Sequence, residues 1–370
     1  MCRVRVLMVS KACIVGAYQT KLEELARLPG LDLHVIVPPA WKEHGNIIRL
    51  ERQHVDGYHL IVSPMRLNGR FHLHYYPELP RWLRRLRPDI FHFDEEPYNL
   101  ATYLGLRAGA AAGARTLFFT WQNLCRRYPW PFRAMERACF RRASYAIAGN
   151  AAAGEVLRRK GYAGPLAIIP QFGVDPSRYA RGGRPAGEAL RVGYAGRLVP
   201  AKGVHLLLEA LAGLSHPWKA LIAGSGPEEG RLRDLAERLG VAGRVEFRGQ
   251  VPSAAMPAFF QEIDVLVLPS IRRPNWMEQF GRVLIEAMAA EVAVVGSDSG
   301  EIPHVIGEAG LVFPEGDALA LRAGLERLAA DPALRRRLAE AGRARVLSRF
   351  TQAQVARQTY EVYQAMLSSS

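Results

Sequence analysis

The chain has 370 residues, 49% of them apolar and 23% charged, and a formal net charge of +14. That length favours two domains over one, and the composition excludes a disordered or collagen-like polymer. No uninterrupted apolar run approaches the ~20 residues that cross a bilayer, and the arginine-broken start Met1–Val9 is unlike a secretory leader. A cytoplasmic protein is expected. Cys2, Cys13, Cys125 and Cys139 lack metal or redox spacing and read as free thiols.

In chain order, Val4–Val9 reads as a strand, Lys21–Leu28 as a helix and Leu33–Val37 as a second strand. Trp41–Ser63 is irregular, with apolar alternation near Tyr58–Val62. Pro80–Leu86 is a short basic helix, Asp89–Phe93 a strand and Thr116–Thr120 another. Met135–Arg142 is helical, Ser144–Gly149 a strand, Ala151–Lys160 a helix and Leu166–Pro170 a strand. This alternation predicts a mainly parallel sheet covered on both faces. Gly173–Gly187, rich in Gly, Pro and Arg, reads as a linker, and a second βα series starts at Leu190. A last helix, Gln352–Met366, follows a break at Ser348–Thr351.

Charge divides the chain in the same place. Residues 1–180 hold 26 Lys and Arg against 14 Asp and Glu, an excess of 12; residues 181–370 hold 23 against 21, an excess of 2. The excess sits beside aromatic residues in Arg81–Arg87, Arg126–Arg133 and Arg137–Arg142. It fits either arginine preference on solvated faces or a surface for an anionic partner, such as an acidic leaflet or a phosphorylated acceptor. No nucleic-acid reading module is present, so nucleic acid is not an expected partner.

Two segments carry the chemistry. In Glu278-Gln279-Phe280-Gly281-Arg282-Val283-Leu284-Ile285-Glu286, the apolar spacing of Val283, Leu284, Ala287 and Met288 starts a helix at Gly281. A helix start suits phosphate. Glu278 precedes it, and Glu286 lies roughly 7 Å farther along the axis, so the two carboxylates can meet opposite ends of a sugar diphosphate. In Val192–Val204, a short strand runs into a glycine turn, and Arg197 and Lys202 flank a tight loop ahead of the helix His205–Leu211. Two fixed cations at a strand's carboxyl end suit a diphosphate leaving group and require no metal. Separately, each pair also fits ordinary solvated side chains.

With Ala223–Pro227, Phe247–Val251, Val267–Ser270, Ser299–Pro303 and Gly310–Phe313, these segments resemble the family-four retaining nucleotide-sugar glycosyltransferases. The resemblance implies an α/β fold of two facing Rossmann-like βαβ domains (the GT-B architecture). Residues 1–180 would be the acceptor-binding domain and 181–350 the nucleotide-sugar domain, with 351–370 a helix crossing back to the first. It implies that Arg197 and Lys202 bind the diphosphate, Glu286 the ribose hydroxyls and Glu278 the donor sugar. Phe280, Gly281 and Gln279 would shape the pocket, with Gly196, Gly224 and the backbone at Val251 on the nucleotide side. Two departures stand out. The first loop, Ser10–Ala17, has the single glycine Gly16 where many members have a pair, and Trp121-Gln122-Asn123 stands where many have a histidine. Gly16 remains the candidate phosphate contact in that loop.

In open α/β sheets ligands sit outside the strands' carboxyl ends. That rule picks the loops at Ser10, Asp94 and Trp121 as the acceptor side, with Asp94, Glu95 and Gln122 as candidates. Asp94, Glu95 and Glu96 follow His92; they either handle acceptor hydroxyls or form a solvated turn. His92 reads as a core residue. His72 and His74 have the spacing of a metal pair but no third ligand, so no metal or other cofactor is expected.

The expected reaction moves a hexosyl unit from a nucleoside-diphosphate sugar to a hydroxyl of a glycan, lipid-linked or small-molecule acceptor. Retention of anomeric configuration is implied by the resemblance. The rival readings are a nucleotide-sugar epimerase of the same architecture and a non-catalytic membrane-associated binding protein. A dehydrogenase is disfavoured because no Gly-x-Gly-x-x-Gly follows the first strand.

Overall fold

The computed structural model describes residues 3–43, 46–179 and 189–368. The chain divides into two compact units, Met1–Gly173 with Gln352–Ser370, and Val174–Thr351.

The first unit contains β1 (Val4–Val9), α1 (Gly16–Ala26), β2 (Leu31–Val37), β3 (Ala40–Glu43), β4 (Asn46–Arg49) and β5 (His59–Val62). It continues through α2 (Leu79–Leu86), β6 (Ile90–Phe93), α3 (Leu100–Ala111), β7 (Arg115–Thr120), α4 (Phe132–Arg142), β8 (Tyr145–Ala148), α5 (Ala151–Arg159) and β9 (Leu166–Ile168). Seven strands form one parallel sheet in the order β5-β2-β1-β6-β7-β8-β9. Strands buried on both faces read as nearly continuous apolar runs, as Ile90–Phe93 does.

The second unit contains β10 (Leu190–Ala195), α6 (Val204–Ala212), β11 (Trp218–Ala223), α7 (Glu229–Arg238), β12 (Val245–Gly249) and α8 (Met256–Gln261). β13 (Val265–Leu268), α9 (Arg282–Ala289), β14 (Ala293–Ser297), α10 (Ile302–Ile306), β15 (Leu311–Phe313), α11 (Ala318–Ala330) and α12 (Pro332–Arg349) complete it. Its six-stranded parallel sheet has the order β12-β11-β10-β13-β14-β15. Asp317 and Asp331 cap α11 and α12 by accepting from the Ala320 and Leu334 amides, both at 2.8 Å. The final helix, α13 (Gln352–Ser368), returns to the first unit, where Val355, Ala356, Val362, Tyr363 and Met366 join the core formed by β1, β2 and α1.

Several expectations change. Trp41–Ser63 is not simply irregular: it contains the antiparallel hairpin β3–β4 and the edge strand β5. α1 begins at Gly16, five residues before the expected start. The helix α3 is not among the expected elements, because Gly105 and Gly109 weaken its helical pattern. Those glycines are structural. A β-carbon on Gly105 would lie 2.5 Å from the Phe93 ring and one on Gly109 2.6 Å from Phe91, so only bare backbone lets α3 rest on β6.

The expected boundary at 180/181 falls outside the described residues. Val174–Tyr179 joins the second unit, not the first. The Val174 amide donates to the Phe350 carbonyl at 2.8 Å, and the buried Tyr179 ring packs on Phe260.

Candidate active site

In the second unit, Lys202 is placed by Gly203, the residue that opens α6. Gly203 has φ 64, and a β-carbon there would stand 2.0 Å from the Pro269 carbonyl oxygen. Only glycine allows the loop to pass so close to the end of β13. The Lys202 ammonium bonds Glu278 Oε2 at 2.6 Å and lies 5.0 Å over the Trp276 ring. Ser270 Oγ donates to the same carboxylate oxygen at 2.8 Å, and Ser297 Oγ in turn donates to the Ser270 carbonyl at 2.6 Å. The Glu278 carbonyl accepts from the Glu301 amide at 3.2 Å. Glu278 is therefore buried and fixed at both backbone and side chain.

Beneath this loop, the buried Tyr194 hydroxyl donates to the Arg197 carbonyl at 2.9 Å. Burial pushes that phenol well above its usual range; the Glu278 charge adds to the rise and Arg197 opposes it. Tyr194 thus senses both site charges. Arg197 is exposed and, with Gly196, Gly224 and Val251, lines a cavity of about 370 Å³ at the carboxyl ends of β10 and β11. The loops around that cavity are pinned to each other: the Gly196 amide donates to Ala223, and the Leu198 amide to Ser225, both at 2.9 Å.

Gly281, in the left-handed region with φ 73, opens α9, and a β-carbon there would meet Leu268 at 2.9 Å. The Phe280 ring packs edge-on against Phe350, at 5.8 Å, while Gln279 is exposed. Glu286 is only partly exposed and accepts from Arg282 Nε at 2.9 Å, one turn back on the same helix. The candidates therefore group as a Lys202–Glu278 pair, a cavity with Arg197, and a Glu286–Arg282 pair on α9.

In the first unit, the strand ends converge on a polar core rather than a solvated turn. Asp94 and Glu95 are both buried. Asp94 Oδ2 accepts from Ser10 Oγ at 2.7 Å and Gln171 Nε2 at 3.0 Å, and burial raises its carboxyl despite the nearby Lys21 ammonium. Glu95 Oε2 accepts from Lys11 at 2.9 Å and meets His74 Nε2 at 2.8 Å. Burial works to raise Glu95, but Lys11 and His74 outweigh it and hold the carboxyl at about 2. Glu96 behaves oppositely: burial lifts it to about 7, against hydrogen bonds from the Thr120 hydroxyl at 2.5 Å and the Trp121 amide at 2.8 Å. Gln122 accepts from Lys160 at 2.9 Å and donates to the Tyr128 hydroxyl at 3.2 Å. The Gly16 amide is engaged by the chain's own Glu51 carboxylate at 2.6 Å.

The histidine spacing does not make a metal pair. His74 spends Nδ1 on the Phe71 carbonyl and Nε2 on Glu95, while His72 Nδ1 meets Asn99. His92 is buried, with Nδ1 2.8 Å from the Tyr363 hydroxyl on α13.

Two family models match, "Glycosyl transferases group 1" over residues 180–345 and "Glycosyltransferase Family 4" over residues 20–178. The chain belongs to glycosyltransferase family 4. A phosphatidyl-myo-inositol mannosyltransferase of Mycobacterium leprae is 38% identical over 175 residues, covering 46% of this chain and 45% of that protein. The chain spans less than half the length of such curated relatives. Among solved structures, sucrose-phosphate synthase from Thermosynechococcus elongatus superposes with a TM-score of 0.74 at 21% identity, covering 100% of both chains. Anabaena HepE in complex with UDP gives 0.74 at 19% identity, covering 98% of this chain and 100% of that one. Two Rossmann-like halves of the GT-B architecture are thereby shown.

Four side chains support the candidates without being candidates themselves for this role. Ser270 and Trp276 hold the Lys202–Glu278 pair, and Lys11 and His74 hold Glu95. Ser270 stood in the Val267–Ser270 tag, and Lys11 follows the first strand directly, where a cation would meet a ligand. Trp276 leaves no local signal, since its partner lies on another element, and the local spacing of His74 points to a metal pair rather than to Glu95.

Proposed function

We propose that this family 4 chain moves a hexosyl unit from a nucleoside-diphosphate sugar to an acceptor hydroxyl, with retention of configuration and without a metal. The observation that carries the reading is the Lys202–Glu278 pair, bonded at 2.6 Å, whose lysine lies on the glycine-bounded loop that also bears Arg197. As the bond from the sugar C1 to the diphosphate breaks, Arg197 and Lys202 offset the charge gathering on the leaving oxygens. The acceptor oxygen bonds to C1 on the same face, and its proton passes to the departing phosphate. Glu278 orients the sugar rather than attacking it. Its Oε2 accepts from both Lys202 and Ser270, which stabilises the anion and blunts it as a nucleophile. The Arg197 cavity takes the nucleotide, with Glu286 toward the ribose.

The acceptor side is the first unit, around Asp94, Glu95 and Gln122. An anionic acceptor, phosphorylated or presented by an acidic leaflet, suits the charge excess of residues 1–180. α2 turns Leu79 and Leu83 into the core and leaves Arg81, Arg84 and Arg85 outward, so attraction to such a surface is electrostatic and salt-sensitive. No helix among the described residues is long and apolar enough to cross a membrane.

The deciding experiment screens thermal stability against UDP, GDP, ADP and TDP sugars, then incubates the stabilising donor with glycan and lipid-linked acceptors. A donor held at a hundred times its dissociation constant adds about 2.7 kcal/mol. NMR of the product then reads the anomeric configuration. No stabilisation by any donor, or a new sugar nucleotide formed from donor alone, would overturn the proposal; the second outcome is the epimerase.

A further inference from the structure

We propose that Asp32, His34 and His59 form a binding site for a divalent transition-metal cation of the Zn²⁺ type, at the amino-terminal end of the sheet in the first unit. The proposal is independent of the transferase reading.

Strand geometry builds the site. Asp32 and His34 are two residues apart on β2 and so share a face, and His34 pairs in register with His59 on the edge strand β5. One oxygen or nitrogen atom from each of the three lies within 4.8 Å of the others. His34 Nε2 is 3.0 Å from Asp32 Oδ1, and His59 Nε2 is 3.8 Å from the same oxygen. The two imidazoles stack with centroids 4.5 Å apart and planes 19° apart. Asp32 Oδ2 is separately held by Arg5 Nε at 2.9 Å, and Arg5 also donates to the Leu86 carbonyl at 2.7 Å. That leaves Oδ1 turned to the imidazoles. An outer partner that orients a ligating carboxylate is a regular part of metal sites.

Two imidazole nitrogens and one carboxylate oxygen suit Zn²⁺, Ni²⁺ or Cu²⁺; Mg²⁺ and Ca²⁺ take oxygen. With a carboxylate oxygen 3.0 Å away, Nε2 carries the proton of the metal-free His34. Binding shifts that proton to Nδ1 and frees the Nε2 lone pair. Metal bonds of about 2.0–2.2 Å set tetrahedral donors roughly 3.3 Å from one another, so the 3.0 Å His34–Asp32 pair opens slightly while His59 closes in from 3.8 Å. The His59 side chain is 68% exposed and has the freedom to swing inward, and water completes the coordination. A cation here would clip β5, which has a single strand neighbour in its sheet, to β2. It lies at the opposite end of the strands from Asp94 and Glu95 and takes no part in sugar transfer.

The test titrates tag-free full-length protein with Zn²⁺ alone, in a non-chelating buffer, and follows melting. At a hundredfold excess over the dissociation constant the first unit should melt about 5–10 °C higher. His59→Ala, at an exposed position, should leave the metal-free melt unchanged and weaken Zn²⁺ binding at least about tenfold. Should His59→Ala lower the metal-free melt, Co²⁺ absorption titrated at a temperature where both proteins are folded makes the same comparison. An imidazole-ligated Co²⁺ spectrum present in wild type and absent in His59→Ala supports the site. No Zn²⁺ binding at millimolar concentration, or equal binding by wild type and His59→Ala, overturns it.

Discussion

Lys202→Ala separates the two jobs assigned to the Lys202 ammonium. Its bond to Glu278 is 2.6 Å long, and the side chains are 14% and 9% exposed. The pair thus lies between surface ion pairs, worth about 0–1 kcal/mol, and buried ones, whose disruption costs about 3–5 kcal/mol. A loss of about 2 kcal/mol follows, or about 4–8 °C in the melt of a unit this size. In the reaction, losing one fixed donor to the developing charge should cost about a hundredfold in turnover, equivalent to about 2.7 kcal/mol. The assay is nucleotide release under saturating donor, well below the melting temperature, beside a thermal melt of the same sample. Pairing Lys202→Ala with Glu278→Gln should restore stability, because the uncompensated carboxylate is gone, but not turnover. If kcat in Lys202→Ala stayed within about threefold of wild type while the melt fell, Lys202 would serve only to neutralise Glu278.

Glu286→Ala should weaken binding of the free nucleotide about tenfold, by calorimetry, since a charged ribose hydrogen bond is lost; an unchanged dissociation constant removes Glu286 from the ribose. Gly203→Ala forces a β-carbon to within 2.0 Å of the Pro269 carbonyl at φ 64, and should cost at least about 3 kcal/mol in denaturant unfolding. The Glu96 carboxyl is raised from 4.5 to about 7 by burial, so the folded chain binds the extra proton. Stability is therefore highest below pH ~4.5 as far as this group is concerned and falls by about 2–3 kcal/mol as pH rises to ~7. Glu96→Gln should flatten that fall in melts taken between pH ~5 and ~8; an unaltered slope would assign it to another group.

Local pattern and spacing revealed the parts of the fold that depend on them. The runs Val4–Val9, Asp89–Phe93 and Thr116–Thr120 announce buried parallel strands, and the loops at Arg197 and Gly281 announce helix starts. α3 is not legible because Gly105 and Gly109 read as helix breakers, and only the Phe91 and Phe93 rings beneath them give them a role. For Glu95 the sequence leaves an acceptor contact and a solvated turn open, because nothing near it in sequence reveals Lys11, 84 positions earlier. The same limit hid Asp32, His34 and His59, which become neighbours only through the pairing of β2 with β5.

The path of the backbone has its own consequence. Val174 and Thr351 bridge in parallel, and the Gly173 amide meets the Gln352 side chain at 3.1 Å, so the entry and exit of the second unit are adjacent. Residues 174–351 are in effect a cassette spliced into the first unit. A ribosome must therefore deliver the whole insert before the first unit receives α13 and closes its own core. Loss of the last turns would strip Tyr363 from His92, injuring the half of the molecule made first.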